Sequence, residues 1–238
     1  MKNQYFGDFG DYQKFSFLKT LRDIGGFQIT VHWMKTLDDG GTDGKRIGYL
    51  DKEHIWASFD KDIFAFIKGH IAQKKRDLAL YEQSTHALGI KFLSEHIESP
   101  KKRLELLDRI CKDKESDLIF FDPDNGIEVK STSPKTIHKY VLWSDINTAF
   151  DSGKSVLVYQ HFSRKNRDLF IQEKLAEFKN HFEMDVFAIK VKHSVYFLLV
   201  QSSYLQRVRQ SLAEYSNIWS SLVSVRDPSA SPLHGRTG

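Results

Sequence analysis

The chain alternates short apolar runs with segments in which apolar residues recur every three or four positions. The recurring pattern predicts amphipathic helices, and the short runs predict strands that are buried in a sheet. The predicted helices are 11–24, 59–76, 101–114, 134–150, 165–182 and 203–222. The predicted strands are 28–34, 78–82, 90–94, 117–123, 155–162, 184–191 and 194–201.

The order of these elements predicts the fold class. Strands that alternate with helices favour a mostly parallel sheet with helices on both faces. Only Lys192 and His193 separate the last two strands, and such a short connection requires an antiparallel hairpin. We therefore expect a Rossmann-like α/β sheet of seven strands, mostly parallel with a C-terminal antiparallel hairpin. This is the plan of class I S-adenosylmethionine (SAM) methyltransferases.

Domain organisation follows from the same pattern and from composition. A chain of 238 residues, of which 40% are hydrophobic, can bury the core of one α/β domain. We expect that domain to span 1–223. The segment 224–238 is polar and rich in Ser, Pro and Gly, which predicts a disordered tail.

Several functional classes are disfavoured by what the sequence lacks. It contains no run of about 18 apolar residues that could span a membrane, and its first residues lack the apolar segment of a secretory signal. The single cysteine, Cys111, excludes an intramolecular disulfide and a cysteine-rich zinc site. We therefore expect a cytoplasmic protein without a membrane partner.

The charge of the chain leaves two interpretations open. The formal net charge is +4, and basic residues cluster at 74–76, 101–103 and 164–167. Each cluster lies near an expected helix end, where it is either a solvated terminus or part of a rim that contacts the phosphates of RNA or DNA.

Candidate ligand-binding residues lie where the predicted strands end, since ligands of doubly wound sheets bind beyond the carboxyl ends of the strands. Four of the five interleaved strands end at an acidic residue. These acids are Asp38 and Asp39 (with Gly40) after strand one, Glu82 at strand two, Glu95 after strand three and Asp122 at strand four. A carboxylate at the position of Glu82 can accept both hydroxyls of a ribose. His161, at the end of strand five, is a further catalytic candidate.

The segment Asp122-Pro123-Asp124-Asn125-Gly126 has two functional interpretations. In the first, Asn125-Gly126 forms a turn, and Asp122 accepts a hydrogen bond from a substrate amino group, with Asn125 beside it. In the second, Asp122, Asp124, Glu128 and Lys130 form the centre of a Mg²⁺-dependent nuclease, in which the acids hold the metal.

The segment Gly10–Phe15, together with Glu82, Asp122-Pro123 and the closing hairpin, resembles the bacterial ribosomal RNA adenine-N6 methyltransferases of the RlmJ type. The resemblance implies that Lys14 contacts the carboxylate of SAM and that Glu82 is the acid after strand two. It also implies that Asp122 holds the amino group of the extruded adenine. Asn125 stands where that family has an aromatic residue. The chain is also similar to uncharacterised bacterial proteins with the pattern GDYxKF…DPDNGxEVK.

The favoured hypothesis is a SAM-dependent methyltransferase that acts on RNA or DNA. The expected SAM-binding residues are Lys14, Asp38, Asp39, Gly40, Glu82 and Glu95, and the expected catalytic residues are Asp122, Asn125 and His161. Two alternatives remain, the nuclease and a methyltransferase-like scaffold that binds a ligand or partner without catalysis.

Overall fold

A computed structural model describes residues 1–37, 44–182 and 186–228, which form an α/β fold around one mixed sheet of seven strands. The strands are β1 Ile29–His32, β2 Ile90–Leu93, β3 Leu118–Phe121, β4 Ser155–His161, β5 Phe187–Lys190, β6 Ser194–Leu199 and β7 Ser224–Arg226. The α-helices are α1 Phe9–Asp23, α2 Glu53–Trp56, α3 Lys61–Ala72, α4 Ala79–Glu82, α5 Pro100–Lys112, α6 Trp143–Asp151, α7 Arg167–Phe182 and α8 Leu205–Ile218. Short 3₁₀ helices span Asn3–Tyr5, Gly48–Asp51, Thr85–Ala87, Ile137–Lys139 and Ser202–Tyr204. Among the described helices, none is both long and apolar enough to cross a membrane.

The strand order is β2-β1-β3-β4-β6-β5-β7. Strands β2, β1, β3 and β4 pair in parallel, whereas β6 lies antiparallel between β4 and β5, and β7 is antiparallel to β5. The predicted hairpin is therefore present, but only half of the pairings are parallel. Because β1 lies between β2 and β3, the winding of the sheet reverses there, which is the switch point where open α/β sheets bind ligands.

Helices cover both faces of the sheet, as the apolar strand pattern predicts. Leu118 and Phe120 of β3 face a core that α1, α3 and α8 complete. Ile119 and Phe121 face a second core, which contains residues of α5, α6 and α7. The alternation of β3 between these two cores explains why its sequence is apolar at every position.

The strand predicted at 78–82 is wrong, because this segment forms the short helix α4. Leu, Ala and Glu are strong helix formers, and the Asp77 side chain accepts a hydrogen bond from the backbone N–H of Ala79 at 3.0 Å where the helix begins. Tyr81 stacks on Phe15 with ring centroids 3.8 Å apart. The run is therefore apolar because it packs against α1, and not because it pairs in the sheet.

The seventh strand comes instead from the segment predicted to be a disordered tail. Ser224–Arg226 form β7 and pair with Ala188–Lys190 at the edge of the sheet. The three-residue strand is too short to give a period-two signal in the sequence. Residues 229–238 of that segment lie outside the described residues.

The helix predicted over 134–150 begins only at Trp143. The preceding stretch is rich in Ser and Thr, whose side chains compete with helical hydrogen bonding. The Thr136 hydroxyl accepts a hydrogen bond from the backbone N–H of Ser133 at 3.2 Å, which stabilises a turn there.

Candidate functional site

A cavity of about 580 Å³ lies at the carboxyl ends of β3 and β4, beside the switch point. This volume is in the range of small-molecule sites in proteins. Its buried wall carries carboxylates and one lysine, whereas the lining residues Lys45 and Arg46 are exposed at its rim. The acids that line it are Asp8, Asp11, Asp122 and Asp124.

Lys14 is the central cation of the buried wall. Its Nζ donates to Asp122 Oδ2 at 2.7 Å and to Asp11 Oδ1 at 3.2 Å, and it lies 4.9 Å from the centre of the Tyr159 ring. Burial by itself lowers the pKa of Lys14, but the carboxylates of Asp122 and Asp11 raise it above its ordinary value. Lys14 is therefore a charged ammonium in a site that excludes most water.

Helix α1 presents this group of charges because of its residue spacing. Asp8, Asp11 and Lys14 are three residues apart, which places them along one side of the helix. Asp8 is the N-cap and accepts a hydrogen bond from the Asp11 backbone N–H at 3.0 Å. Burial raises the pKa of Asp8, and it raises that of Asp11 to about 7 in spite of the nearby Lys14. The pKa of Asp11 therefore lies well above the usual range of a carboxyl group.

Asp124 fixes the first residues of the chain against the switch point. Its Oδ1 lies 3.1 Å from the amine of Met1, and its Oδ2 accepts a hydrogen bond from the Thr36 hydroxyl at 2.6 Å. The Met1 amine also donates to the Met34 carbonyl, just after β1, at 3.1 Å. Burial acts to raise the pKa of Asp124, but the adjacent amine and hydroxyl hold it below its ordinary value. Asp124 is therefore an ionised structural acid at the cavity wall.

The predicted turn at Asn125-Gly126 is present and packs tightly on β4. Gly126 has φ +87°, and a Cβ built on it would lie 2.3 Å from Gln160 Oε1. That same oxygen accepts a hydrogen bond from the Ile127 backbone N–H at 2.8 Å. The backbone N–H of Asn125 donates to the Lys139 carbonyl at 2.9 Å. These contacts set the path of the chain that follows Asp122.

His161 and Tyr159 form the β4 side of the cavity. The Tyr159 hydroxyl lies 3.5 Å from His161 Nδ1. Burial lowers the pKa of His161 and raises the pKa of Tyr159. Both groups are therefore neutral at pH 7, and both are able to hydrogen-bond to a ligand without changing its charge.

Four of the predicted site residues come together in this cavity. They are Lys14, Asp122, Asn125 and His161. Lys14 and Asp122 are 108 positions apart in the chain, so the fold joins an expected SAM-binding residue directly to an expected catalytic residue. Three further predictions, Asp38, Asp39 and Gly40, lie outside the described residues.

Glu82 and Glu95 do not line the cavity. Glu82 Oε1 accepts hydrogen bonds from Trp33 Nε1 at 2.9 Å and from the Ser94 hydroxyl at 2.7 Å. Trp33 and Ser94 directly follow β1 and β2, so Glu82 lies at the carboxyl edge of the sheet although it does not belong to a strand. Glu95 forms an ion pair with Arg109 at the surface. The role of Glu82 and Glu95 toward a ligand stays a prediction.

The acids of the nuclease hypothesis are not assembled into one group. Glu128 Oε1 accepts a hydrogen bond from the backbone N–H of Trp143 at 2.6 Å, where α6 begins. Within the described ranges, no group of three His, Cys, Asp or Glu side chains could hold a metal ion. The Glu128 carboxylate therefore has a structural role at the start of α6.

Several residues that line the cavity were missed by the sequence reasoning, among them Asp8, Asp11, Lys45 and Arg46. Asp11 could have been identified from the sequence, because its spacing places it on the side of α1 that carries Asp8 and Lys14. Arg46 could not, because nothing in its local sequence shows that the segment after 44 returns to α1. In the structure, the Phe9 backbone N–H of α1 donates to the Arg46 carbonyl at 3.1 Å.

Comparisons with known proteins add little to this geometry. No family model and no curated protein matches the chain. Among solved structures, human methyltransferase-like protein 13, crystallised in complex with SAH, is similar over 92% of this chain and 93% of that chain, with 12% sequence identity and a TM-score of 0.34. A structural similarity with so low a TM-score says nothing about activity, so function has to be inferred from the residues of the cavity.

Proposed function

We propose that this chain is a SAM-dependent methyltransferase whose cofactor and methyl acceptor meet in the 580 Å³ cavity. The observation that supports it most is the position of Asp122. This acid directly follows β3 at the switch point, lines the cavity and is held by Lys14. The antiparallel β6 between β4 and β5 agrees with the class I plan that the sequence pattern predicts.

The residues of the cavity fit the chemistry of SAM. The cofactor carries a carboxylate, an ammonium and a positively charged sulfur, and when bound it supplies a methyl group to a nucleophile. Lys14 would pair with its carboxylate, while Asp8 and Asp11 would stabilise its positive charges. Opposite charges attract more strongly in a site that excludes water. Glu82 is the predicted ligand whose carboxylate is instead engaged by Trp33 and Ser94.

Asp122 is the residue that we expect to orient the acceptor. Its Oδ2 is held by Lys14, and within the described residues its Oδ1 accepts no hydrogen bond. Oδ1 would therefore accept one from an amino group and align the nitrogen lone pair. The carboxylate would also stabilise the positive charge that develops on nitrogen. Alignment and proximity supply most of what such a transfer needs, so few further catalytic groups are required.

The acceptor amino group would belong to a nucleic acid. Lys45 and Arg46 are exposed at the rim of the cavity. The charge of Arg46 lowers the pKa of the nearby Asp8, but within the described part of the chain neither side chain forms a direct ion pair with a carboxylate, so phosphates can approach both. Cations that surround a pocket with a buried acid suit an extruded base on a charged backbone.

Calorimetric titration with S-adenosylhomocysteine tests the cofactor assignment. We expect saturable binding by the wild type and a loss of about 10- to 100-fold in affinity for Lys14→Met, since a charge-assisted contact is removed. The matched control is Lys154→Met. Lys154 is also a buried lysine, but it donates to the Ser116 carbonyl at 2.8 Å, just before β3 and thus at the opposite edge of the sheet. Its replacement should leave affinity within about two-fold.

A second variant separates binding from transfer and covers the possibility that Lys14→Met does not fold. Asp122→Asn should retain affinity for S-adenosylhomocysteine within several-fold but lose transfer of a labelled methyl group to bulk RNA. Folded wild type that does not bind S-adenosylhomocysteine would overturn the proposal. Binding with no transfer to RNA or DNA would overturn the enzymatic part and favour the scaffold hypothesis.

A further inference from the structure

A second hollow, of about 410 Å³, adjoins the cavity and shares Arg46 and His193 with it. Three aromatic residues, Phe9, Tyr49 and Trp56, form its wall. Phe9 packs edge-on against both of the others, with ring centroids 5.3 Å from Tyr49 and 5.0 Å from Trp56. We name this feature the aromatic hollow.

The charge around the aromatic hollow has a single sign. Its other lining side chains are Arg46, Lys52, Lys192 and His193, and no carboxylate among the described residues lines it. Burial, together with the charges of Arg46, Lys192 and Arg167, lowers the pKa of His193 to about 4. His193 is therefore neutral, and the positive potential comes from Arg46, Lys52 and Lys192.

The positively charged Lys192 side chain lies against the aromatic rings of the hollow. Its ammonium lies 4.9 Å from the centre of the Phe9 ring and 5.0 Å from that of Trp56. The Lys192 backbone carbonyl accepts a hydrogen bond from Arg167 at 3.0 Å, which holds the β5–β6 hairpin turn in place. The long side chain of Lys192 is still free to move its ammonium from the ring faces to a phosphate.

We infer that the aromatic hollow binds a single-stranded polynucleotide, with a base against the half-buried ring of Trp56 and the neighbouring phosphates on Arg46, Lys52 and Lys192. Phe9 and Tyr49 are buried, and Phe9 supports the Trp56 ring through its edge-on contact. Aromatic platforms combined with cations are the usual means of holding single strands without reading sequence. An acidic peptide would satisfy the cations but would leave the Trp56 ring unused. The inference rests on the proposed function in one respect, because it gives the path by which the acceptor strand reaches the adjoining cavity.

Fluorescence anisotropy with a labelled single-stranded RNA of twelve nucleotides tests the inference without any cofactor. Trp56→Leu should weaken binding by roughly 5- to 100-fold, the range found when a stacking ring is removed. Its matched control is Trp143→Leu. Trp143 is also half-buried, but it packs in the core on the other face of the sheet, and its replacement should change affinity less than two-fold.

Salt dependence tests the phosphate contacts. Lys192→Gln should weaken binding and reduce the slope of log affinity against log salt by about 0.7, the value for one phosphate contact on a single strand. The matched control is Lys114→Gln, an exposed lysine in the turn before β3, which should leave the slope unchanged. Thermal unfolding of each variant confirms that it is folded.

Three results would overturn the inference. They are equal loss of affinity in the two tryptophan variants, equal slopes in the two lysine variants, and competition by polyglutamate as strong as that by unlabelled RNA. Because no cofactor is present, failure of RNA binding leaves the titration with S-adenosylhomocysteine standing. RNA binding that follows the predicted pattern, in a chain that does not bind S-adenosylhomocysteine, would support the hollow and overturn the proposed function alone.

Discussion

Two buried clusters of opposite charges, one around Arg103 and one around Lys14, differ in how completely their charges are paired. In the Arg103 cluster, the guanidinium of Arg103 pairs with Asp145 and donates to the carbonyls of Ile137 at 2.6 Å and Tyr140 at 2.9 Å. Asp145 accepts a further hydrogen bond from the Leu142 backbone N–H at 3.0 Å. One cation is therefore paired with one carboxylate, and backbone groups form the remaining hydrogen bonds of both side chains.

The Lys14 cluster is different, because Lys14 faces both Asp11 and Asp122 at the wall of a cavity. Two carboxylates share one ammonium, and burial raises the pKa of Asp11 to about 7. In a buried charge cluster that only stabilises the fold, each carboxylate is expected to have its own cation. The Lys14 cluster instead has one carboxylate more than it has ammonium groups, and it lies at the wall of a cavity. Excess charge at a cavity therefore points to a ligand, whereas the balanced Arg103 cluster points to structural support of the segment after β3.

The largest expected effect is a loss of stability without a loss of ligand affinity when Arg103 is replaced, and it distinguishes the two clusters. Arg103→Met leaves Asp145 buried without its cation, and we expect the free energy of unfolding in urea to fall by about 3–5 kcal/mol. Affinity for S-adenosylhomocysteine, measured on the folded variant, should stay within about two-fold, because Arg103 does not line the cavity. Lys14→Met should instead lose affinity as well as stability. An Arg103 variant that loses binding as severely would show that the clusters are not functionally distinct.

The second prediction tests the turn that lies between the clusters. Gly126→Ala should lower the free energy of unfolding by about 2–4 kcal/mol, from the strained positive φ and from the clash with Gln160. Gly153→Ala is the matched control, since Gly153 has φ +86° but nothing within 4 Å of an added Cβ, and it should cost only about 1 kcal/mol. The difference between the two variants measures the close approach of the turn to β4. Equal losses would mean that the contact with Gln160 is unimportant.

The sequence could predict the main elements and the edge of the sheet that carries the site, because these follow from local periodicity. The helix predicted at 59–76, for example, is present as α3, and its N-cap Asp60 accepts a hydrogen bond from the Ile63 backbone N–H at 3.2 Å. One error arose where a short apolar run has two physical explanations. The run at 78–82 is apolar because Tyr81 packs on Phe15, and periodicity over five residues cannot distinguish this from strand pairing.

The roles of the predicted site residues stay predictions, but the structure shows where several of these residues lie. Lys14, Asp122, Asn125 and His161 line one cavity, but no local pattern shows that Lys14 and Asp122 form an ion pair. That contact depends on how α1 docks beside β3, which is a property of tertiary packing. The arrival of Arg46 and His193 at the same cavity likewise depends on long-range packing, since the chain between them contains most of the sheet.

The smallest expected effect concerns the titration of Asp11, the second carboxylate that contacts Lys14. With a pKa of about 7 in the folded protein and 3.8 as its ordinary value, Asp11 binds a proton between about pH 4 and 7 that the unfolded chain does not. The contribution of Asp11 to stability should therefore fall as pH rises through this window, by up to about 1.4 kcal/mol per pH unit. Asp11→Asn cannot titrate, so urea unfolding across the window should show a flatter slope for this variant than for the wild type. The Asp11 carboxylate accepts hydrogen bonds from Lys14 Nζ and from the Gly7 backbone N–H, each at 3.2 Å. The slope is the appropriate measure, because Asn cannot accept both hydrogen bonds and will alter absolute stability for that reason alone.

Asp168→Asn is the control, since Lys190 lowers the pKa of that exposed acid and its titration lies below the window. If the slope of Asp11→Asn matches that of the wild type, Asp11 is ionised throughout, and the Lys14 cluster is an ordinary buried ion pair like the Arg103 cluster.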